Sequence, residues 1–460
     1  MYIGRVKSKN MSLFKKLFGG GEAETTAPTG QTPPRQQSSN RINFGRFTDC
    51  NKTREQLDFW SKSLDHFKNK RYADSFEALM HYIGDKQVNN VSVSRNGDRV
   101  DFELIQGSKI VKGYGDNKDF RAEAAIVTMN DKSVPVMRKL MTLNYGLMYS
   151  KFALKDDTLC MKFTSHALDA SPNKIYYGLK ELAKKADQQD DLLMQEFSSL
   201  EEIDTHNIIE LSPELKELRY STLIKYINDT LGYINSLDRN SMSGGIAFLL
   251  LNLTYSIDFL FVPQGKITES LERIQSLFFA KTNDSTADRN DKIISEFQRI
   301  ANQPKEEVLE GLYDVKSTFA MANPAAHKTV MDFMFKEREK MNWYRDNNYP
   351  KIVEAVYGYM ITYAYFNYGM VYPITDLLNL CMHVLHNEYY VKSGSSLQIV
   401  EVHDKLNSAN LVKEINHIVQ KCKAEYPHMM INTSALNFND KVSFIDSLIL
   451  QMDRMNLTKK

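Results

Sequence analysis

The sequence predicts an α+β domain, an antiparallel meander sheet packed on helices, followed by an all-α region forming a helical bundle or irregular solenoid. Three observations carry this. Val100, Phe102 and Leu104 alternate with Asp101 and Glu103, the period of a half-buried strand, among turn signals that delimit about four strands. Helical spacing then brackets one hairpin between Val134 and Phe197. From Glu214 onward strand signals almost vanish. The chain accordingly divides into a tail (1–43), an α+β domain (44–199), an acidic connector (200–213) and a helical domain (214–460).

Thr53 is placed to cap a helix in which Leu57, Trp60, Leu64 and Phe67 recur on one face. After a break at residues 68–71, Tyr72, Phe76, Leu79, Met80 and Ile83 continue the pattern until Gly84 ends it. Asn96-Gly97 is a hairpin turn signal, and Val100, Phe102 and Leu104 then alternate with Asp101 and Glu103. Gln106-Gly107-Ser108 and Asp116-Asn117 turn the chain again, leaving strands near 109–114 and 120–128. Residues 134–147 return to helix, with Pro135 in the first turn. Ser150, Phe152 and Leu154 face Leu159, Met161 and Phe163 across Lys155-Asp156-Asp157, a second hairpin. Ser171-Pro172 supplies an N-cap and a first-turn proline for a helix whose stripe is Ile175, Tyr176, Leu179, Leu182, Ala183, Ala186, Leu193 and Phe197.

In the C-terminal half, helices are expected near 214–238, 242–261, 266–281, 290–302, 304–322, 325–346, 349–370, 373–390, 409–425 and 438–456. Pro263, Pro304, Pro324, Pro350 and Pro373 mark starts or breaks between them. Such lengths with short connections argue antiparallel helical hairpins, and no tetratricopeptide register is present. Residues 244–262 are apolar for about the length of a membrane span, but they contain Asn252, Thr254, Ser256 and Asp258. A buried core helix is therefore expected.

Several words of the first domain resemble the YbjN-type family, which shares the type III secretion chaperone-like fold. They are Val134-Pro135-Val136, Leu143-Asn144-Tyr145, Phe152-Ala153-Leu154, and above all Asp169-Ala170-Ser171-Pro172-Asn173-Lys174 through Gln189-Asp190-Asp191-Leu192-Leu193. The resemblance covers roughly residues 70–200. It implies a small domain of a bacterial, cytoplasmic protein that binds protein segments or acts as an accessory regulator, without catalysis or cofactor. Chaperones of that fold are commonly dimers, so a homodimer is an implied form. They are also usually small, free-standing and acidic, whereas this domain sits in a longer, neutral chain.

Two groups of residues stand out as partner-binding candidates. Asp190 falls on the apolar stripe between Ala186 and Leu193, with Asp187 and Asp191 beside it. A carboxylate there needs a partner: a basic side chain of another protein, or a neighbouring element that it clamps. Residues 352–372 carry an unusual run of tyrosines, of which Tyr357, Tyr363, Tyr365 and Tyr368 are the candidates. Tyrosine joins wide apolar contact to a polar tip, which suits a binding groove and equally a core helix.

Chemistry is poorly signposted. Cys381 and the histidines His383 and His386 lie close in sequence, but a helical wheel puts Cys381 on the apolar face and both histidines on a polar, solvated face with Asp376 and Asn379. A nucleophile out of reach of its base does no work, and two histidines alone make a weak metal site. The chain has 58 basic and 57 acidic residues and no basic stripe, so nucleic acid is not an expected partner. Four scattered cysteines suit a reducing compartment, and no secretory signal is expected.

In the tail, Leu13, Phe14, Leu17 and Phe18 share a helical face beside Lys15 and Lys16. That suits weak contact with an anionic membrane surface or a partner groove, though about two turns hold poorly alone. Residues 22–40, rich in Thr, Pro, Gln and Ser, read as a linker with order beginning near Phe44, and Met11 reads as an alternative start. The expected function is a non-enzymatic, cytoplasmic adaptor or chaperone-like regulator that holds another protein. The alternative is a peripheral scaffold at the inner membrane surface, anchored through the N-terminal segment.

Overall fold

The computed structural model describes residues 52–459 apart from 87, 204–206, 321 and 402–404. The N-terminal segment with Leu13, Phe14, Leu17 and Phe18, the linker, the onset near Phe44 and Cys50 all lie outside the described residues.

Helix α1 (Arg54–Lys68) opens on a capping box, in which Thr53 and Gln56 each accept the other's backbone N–H. Helix α2 (Tyr72–Ile83) packs against it through Ser63 and Ser75, both buried. Each serine hydroxyl donates to the other's carbonyl at 2.8 Å, so two small polar residues permit close approach without an unpaired hydroxyl.

A meander follows: β1 (Val91–Asn96), β2 (Arg99–Gln106), β3 (Lys109–Gly115) and β4 (Asp119–Thr128). Helix α3 (Val134–Tyr145), the hairpin β5 (Lys151–Lys155) and β6 (Thr158–His166), and helix α4 (Pro172–Glu196) complete the predicted order. The sheet runs β1-β2-β3-β4-β6-β5, antiparallel throughout. Its inward positions, including Phe102, Leu104, Phe120, Met161 and Phe163, meet Ile175, Leu179 and Leu182 of α4 in one core. Gly178 allows the approach, since a Cβ there would come within 2.6 Å of the Phe163 ring. A seventh strand, β7 (Glu201–Glu202), was not expected; the acidic connector adds it to β4 at Val127 and Thr128.

The C-terminal half is helical as predicted. It comprises α5 (Pro213–Ile234), α6 (Ser243–Phe261), α7 (Lys266–Phe279), α8 (Thr286–Ala301), α9 (Lys305–Glu310), α10 (His327–Lys340), α11 (Asn342–Asp346), α12 (Pro350–Asn367), α13 (Tyr372–Leu385), α14 (Asn387–Lys392), α15 (Ser408–Cys422) and α16 (Lys441–Asp453). Helix α6 is long and apolar enough to cross a membrane, yet 83% of its most apolar window is buried within this domain. It crosses α12 at small residues: a Cβ on Gly358 would lie 2.1 Å from Asn252 Oδ1, and one on Gly245 would lie 2.7 Å from Ile352.

Three expectations about helices fail, the first being the span 325–346, which breaks at Met341 into α10 and α11. The span 373–390 breaks at His386 into α13 and α14. The span 304–322 is helical only over α9. Residues 311–320 leave the helical domain as an extended strap and run onto the α+β domain, because their polar backbone groups find partners there instead.

Candidate functional site

The strap meets the α+β domain at the β2–β3 turn. Gly107 takes φ +60°, and its N–H donates to the Lys316 carbonyl at 2.8 Å. Gln106 Oε1 accepts from the backbone N–H groups of Thr318 and Phe319 at 3.1 and 2.9 Å. The Thr318 hydroxyl donates to the Ile105 carbonyl at 2.6 Å. The Phe319 ring enters the α+β core, edge-on to Tyr176 with centroids 5.5 Å apart. Leu312, at the other end of the strap, belongs to the core of the helical domain.

The three candidate aspartates line this joint, and each engages the chain itself. Asp190 pairs with Lys109 at 2.9 Å, both side chains enclosed, and accepts from the Ser108 hydroxyl. Lys109 also donates to the Ile126 and Ile203 carbonyls at 3.0 and 2.8 Å. The register shift between Ala125 and Val127 falls where Ile126 supplies that carbonyl. Asp187 accepts from the Ser108 N–H at 3.1 Å. It occupies the space that a side chain at 107 would need, 1.6 Å from a Cβ built there. The Tyr313 hydroxyl of the strap donates to both Asp191 oxygens, at 3.0 and 2.9 Å. Burial pushes the Asp190 and Asp191 carboxyls upward. Lys109 and Ser108 draw Asp190 back down, whereas the Asp190 charge raises Asp191 further.

The candidate tyrosines divide. Tyr357 is fully buried and its hydroxyl bonds to Asp446, which also takes a two-pronged pair from Arg338. Tyr365 donates to the Thr375 carbonyl and packs on Phe259 at 4.9 Å. Tyr363 stacks on Phe333 at 4.9 Å, and Tyr368 lies 5.5 Å from the same ring. These rings knit α12 to α10, so most of the run serves the interior.

The histidine expectation is corrected. His383 is only 6% exposed, its ring stacked on Tyr390 at 4.2 Å. His386 is half-buried beside Tyr226, whose hydroxyl lies 3.1 Å from its Nδ1. The wheel failed because α5 and α14 pack over the supposedly polar face of α13. Burial lowers both imidazoles to about 4. Cys381 is wholly buried and its thiol is pushed up by desolvation. Among the described residues, no group of three or more His, Cys, Asp or Glu side chains is placed to hold a metal ion.

One surface was missed. Val136 and Leu140 of α3 point into the core, while Val134, Arg138, Met141 and Tyr145 form the opposite stripe. Tyr145 is 96% exposed and Met141 72%, with Met148 and Val134 also outside. The ridge is held firmly. Glu181 of α4 accepts the N–H groups of Met148, Tyr149 and Ser150 at 2.9, 2.9 and 2.8 Å. The Asn144 side chain pairs with both the N–H and the carbonyl of Phe152, at 2.7 and 3.3 Å, and so closes the sheet's β5 edge. Arg138 sits within the stripe, and Asp131 and Lys132 are exposed just before the helix. The sequence signal was a second set of apolar residues spaced seven and four apart, Val134, Met141 and Tyr145, in a helix to which no face had been assigned.

No model of a known protein family matches the chain, and no characterised protein does.

Proposed function

We propose that this protein is a non-enzymatic, protein-binding adaptor or chaperone-like regulator whose α3 ridge meets its partner. The observation that carries the reading is the ridge itself. A solvent-facing row of Val134, Met141, Tyr145 and Met148 is held in place by Glu181 and Asn144. Large apolar side chains exposed together along one face of a helix mark candidate interaction sites, and methionine adapts its shape to a partner at small cost. Arg138 within the stripe suits a partner protein whose apolar surface carries a carboxylate. The resemblance of residues 70–200 to the YbjN-type family supports the same class. So does the way groups able to do acid–base work, Asp190, Asp191, Lys109 and Tyr313, are committed to the joint.

The test compares proteins that co-purify with the wild type and with Met141→Glu/Tyr145→Glu. Both substitutions lie on the exposed stripe, so the thermal midpoint should stay within about 2 °C. The reading expects a stoichiometric partner that falls at least tenfold in the variant. A partner retained undiminished by the folded variant would refute it.

A further inference from the structure

The strap contacts are those of a receptor and its ligand, although both belong to one chain. The groove is formed by the β2–β3 turn, with Gln106 and Gly107, and by Tyr176 of α4. It recognises mainly backbone: two consecutive N–H groups by Gln106 Oε1, and one carbonyl by Gly107 N–H. Specificity is added by one hydroxyl, on the Ile105 carbonyl, and one aromatic ring in an apolar slot. Ala320, next in line, is fully buried. At the entrance, Tyr313 is clasped by Asp191, and Asp314 by Arg219 at 3.1 Å.

Were the strap to leave, Gln106, now 5% exposed, and Gly107 would lose these partners. Opened to water, both would exchange these bonds for hydration. A small apolar molecule could not restore them. Only another polypeptide offers consecutive N–H donors, a carbonyl and a side-chain anchor together.

We propose that this groove is a binding site for an extended segment of a partner protein carrying a hydroxyl residue, an aromatic and a small residue in succession, and that Thr318-Phe319-Ala320 fills it in cis until such a segment displaces it. The proposal rests on the adaptor reading, and gives the α+β domain a second, masked contact besides the α3 ridge.

The test uses the full chain and a fluorescein-labelled peptide of residues 311–320, read by anisotropy. The wild type, with its groove filled, should bind the peptide at least tenfold more weakly than Thr318→Ala/Phe319→Ala. Adding Gln106→Ala should abolish that gain. Equal binding by the wild type and the folded double variant, or a gain indifferent to Gln106→Ala, would overturn the proposal. Hydrogen exchange on the wild type decides the matter independently of how the variant folds. The amides of Thr318 and Phe319 should exchange at least tenfold faster than those of Ile257 and Leu260 in α6. Exchange only at the rate of those core amides would make the strap a fixed part of the fold and overturn the proposal. So would a dimer by light scattering in the double variant, since the exchanged occupant would then be a second copy. The α3 ridge is untouched by these substitutions, so its capture test stands or falls separately.

Discussion

Leu312 and Phe319 lie seven positions apart on one strap, yet they fill different hydrophobic cores, Leu312 that of the helical domain and Phe319 that of the α+β domain. The joint between the two halves therefore depends on a segment with no regular structure of its own. The buried ion pair of Lys109 and Asp190 sits directly behind it.

That pair gives the first prediction. Asp190→Asn leaves the Lys109 ammonium enclosed without its counter-charge, and should cost about 3–5 kcal/mol. Replacing both, as Lys109→Met/Asp190→Leu, should recover most of the loss. Urea denaturation at pH 7 measures both, and a double variant no more stable than Asp190→Asn would contradict the assignment.

Asp191 should show itself in the pH dependence. Its folded carboxyl is raised, by burial first and by Asp190 next. The folded state therefore holds a proton that the unfolded chain, ionising near 4, has already lost. This contribution to stability is full below the unfolded value and is lost as pH rises through the folded one. Asp191→Asn keeps an acceptor for Tyr313 without the charge. It should be more stable than the wild type at neutral pH and flatten the decline above pH 4. A variant less stable than the wild type at pH 7 would show that the ionised carboxylate is the form the joint requires.

His383 has the opposite sign. Burial lowers it to about 4, so on acidification the unfolded chain takes up its proton first, near 6.5. Stability from this group is present above 6.5 and falls between 6.5 and 4, by up to about 3 kcal/mol. His383→Phe keeps a ring against Tyr390 and should remove that part of the acid loss. Denaturant midpoints at pH 7 and pH 4.5 measure it, and an unchanged difference between them would contradict a neutral, buried imidazole.

Much of the architecture was legible in the chain because short-range chemistry specified it. Thr53 and Ser171 mark helix starts, Gly107 and Asn96-Gly97 mark turns, and the alternation at Val100, Phe102 and Leu104 marks a strand. What was not legible depends on contacts distant in sequence. The strap has helical composition, but Gln106 competes for its N–H groups across more than 200 residues. His383 looks solvated until Tyr390 covers it. The α3 ridge was overlooked for a different reason: apolar residues lie on both sides of this helix, Val136 and Leu140 inward and Val134, Met141 and Tyr145 outward, and its sequence does not say which side the core takes.

Asn144 guards the sheet edge. Asn144→Ala would free the N–H and carbonyl of Phe152 on β5, costing about 1–2 kcal/mol and exposing a pairing edge. Light scattering across a concentration series should then show association at concentrations where the wild type remains unchanged. Identical behaviour would mean that α3 covers the edge without the amide.

The central claim is that the α3 ridge is a partner-binding surface. A photo-crosslinking amino acid in place of Tyr145, the most exposed ridge residue at 96%, tests it most directly in the protein's own cells. One dominant protein adduct of defined mass is expected, absent when the same probe replaces Leu168, which is 75% exposed and lies off the ridge. Adducts that are only lipid or background, or the same from both positions, would contradict it.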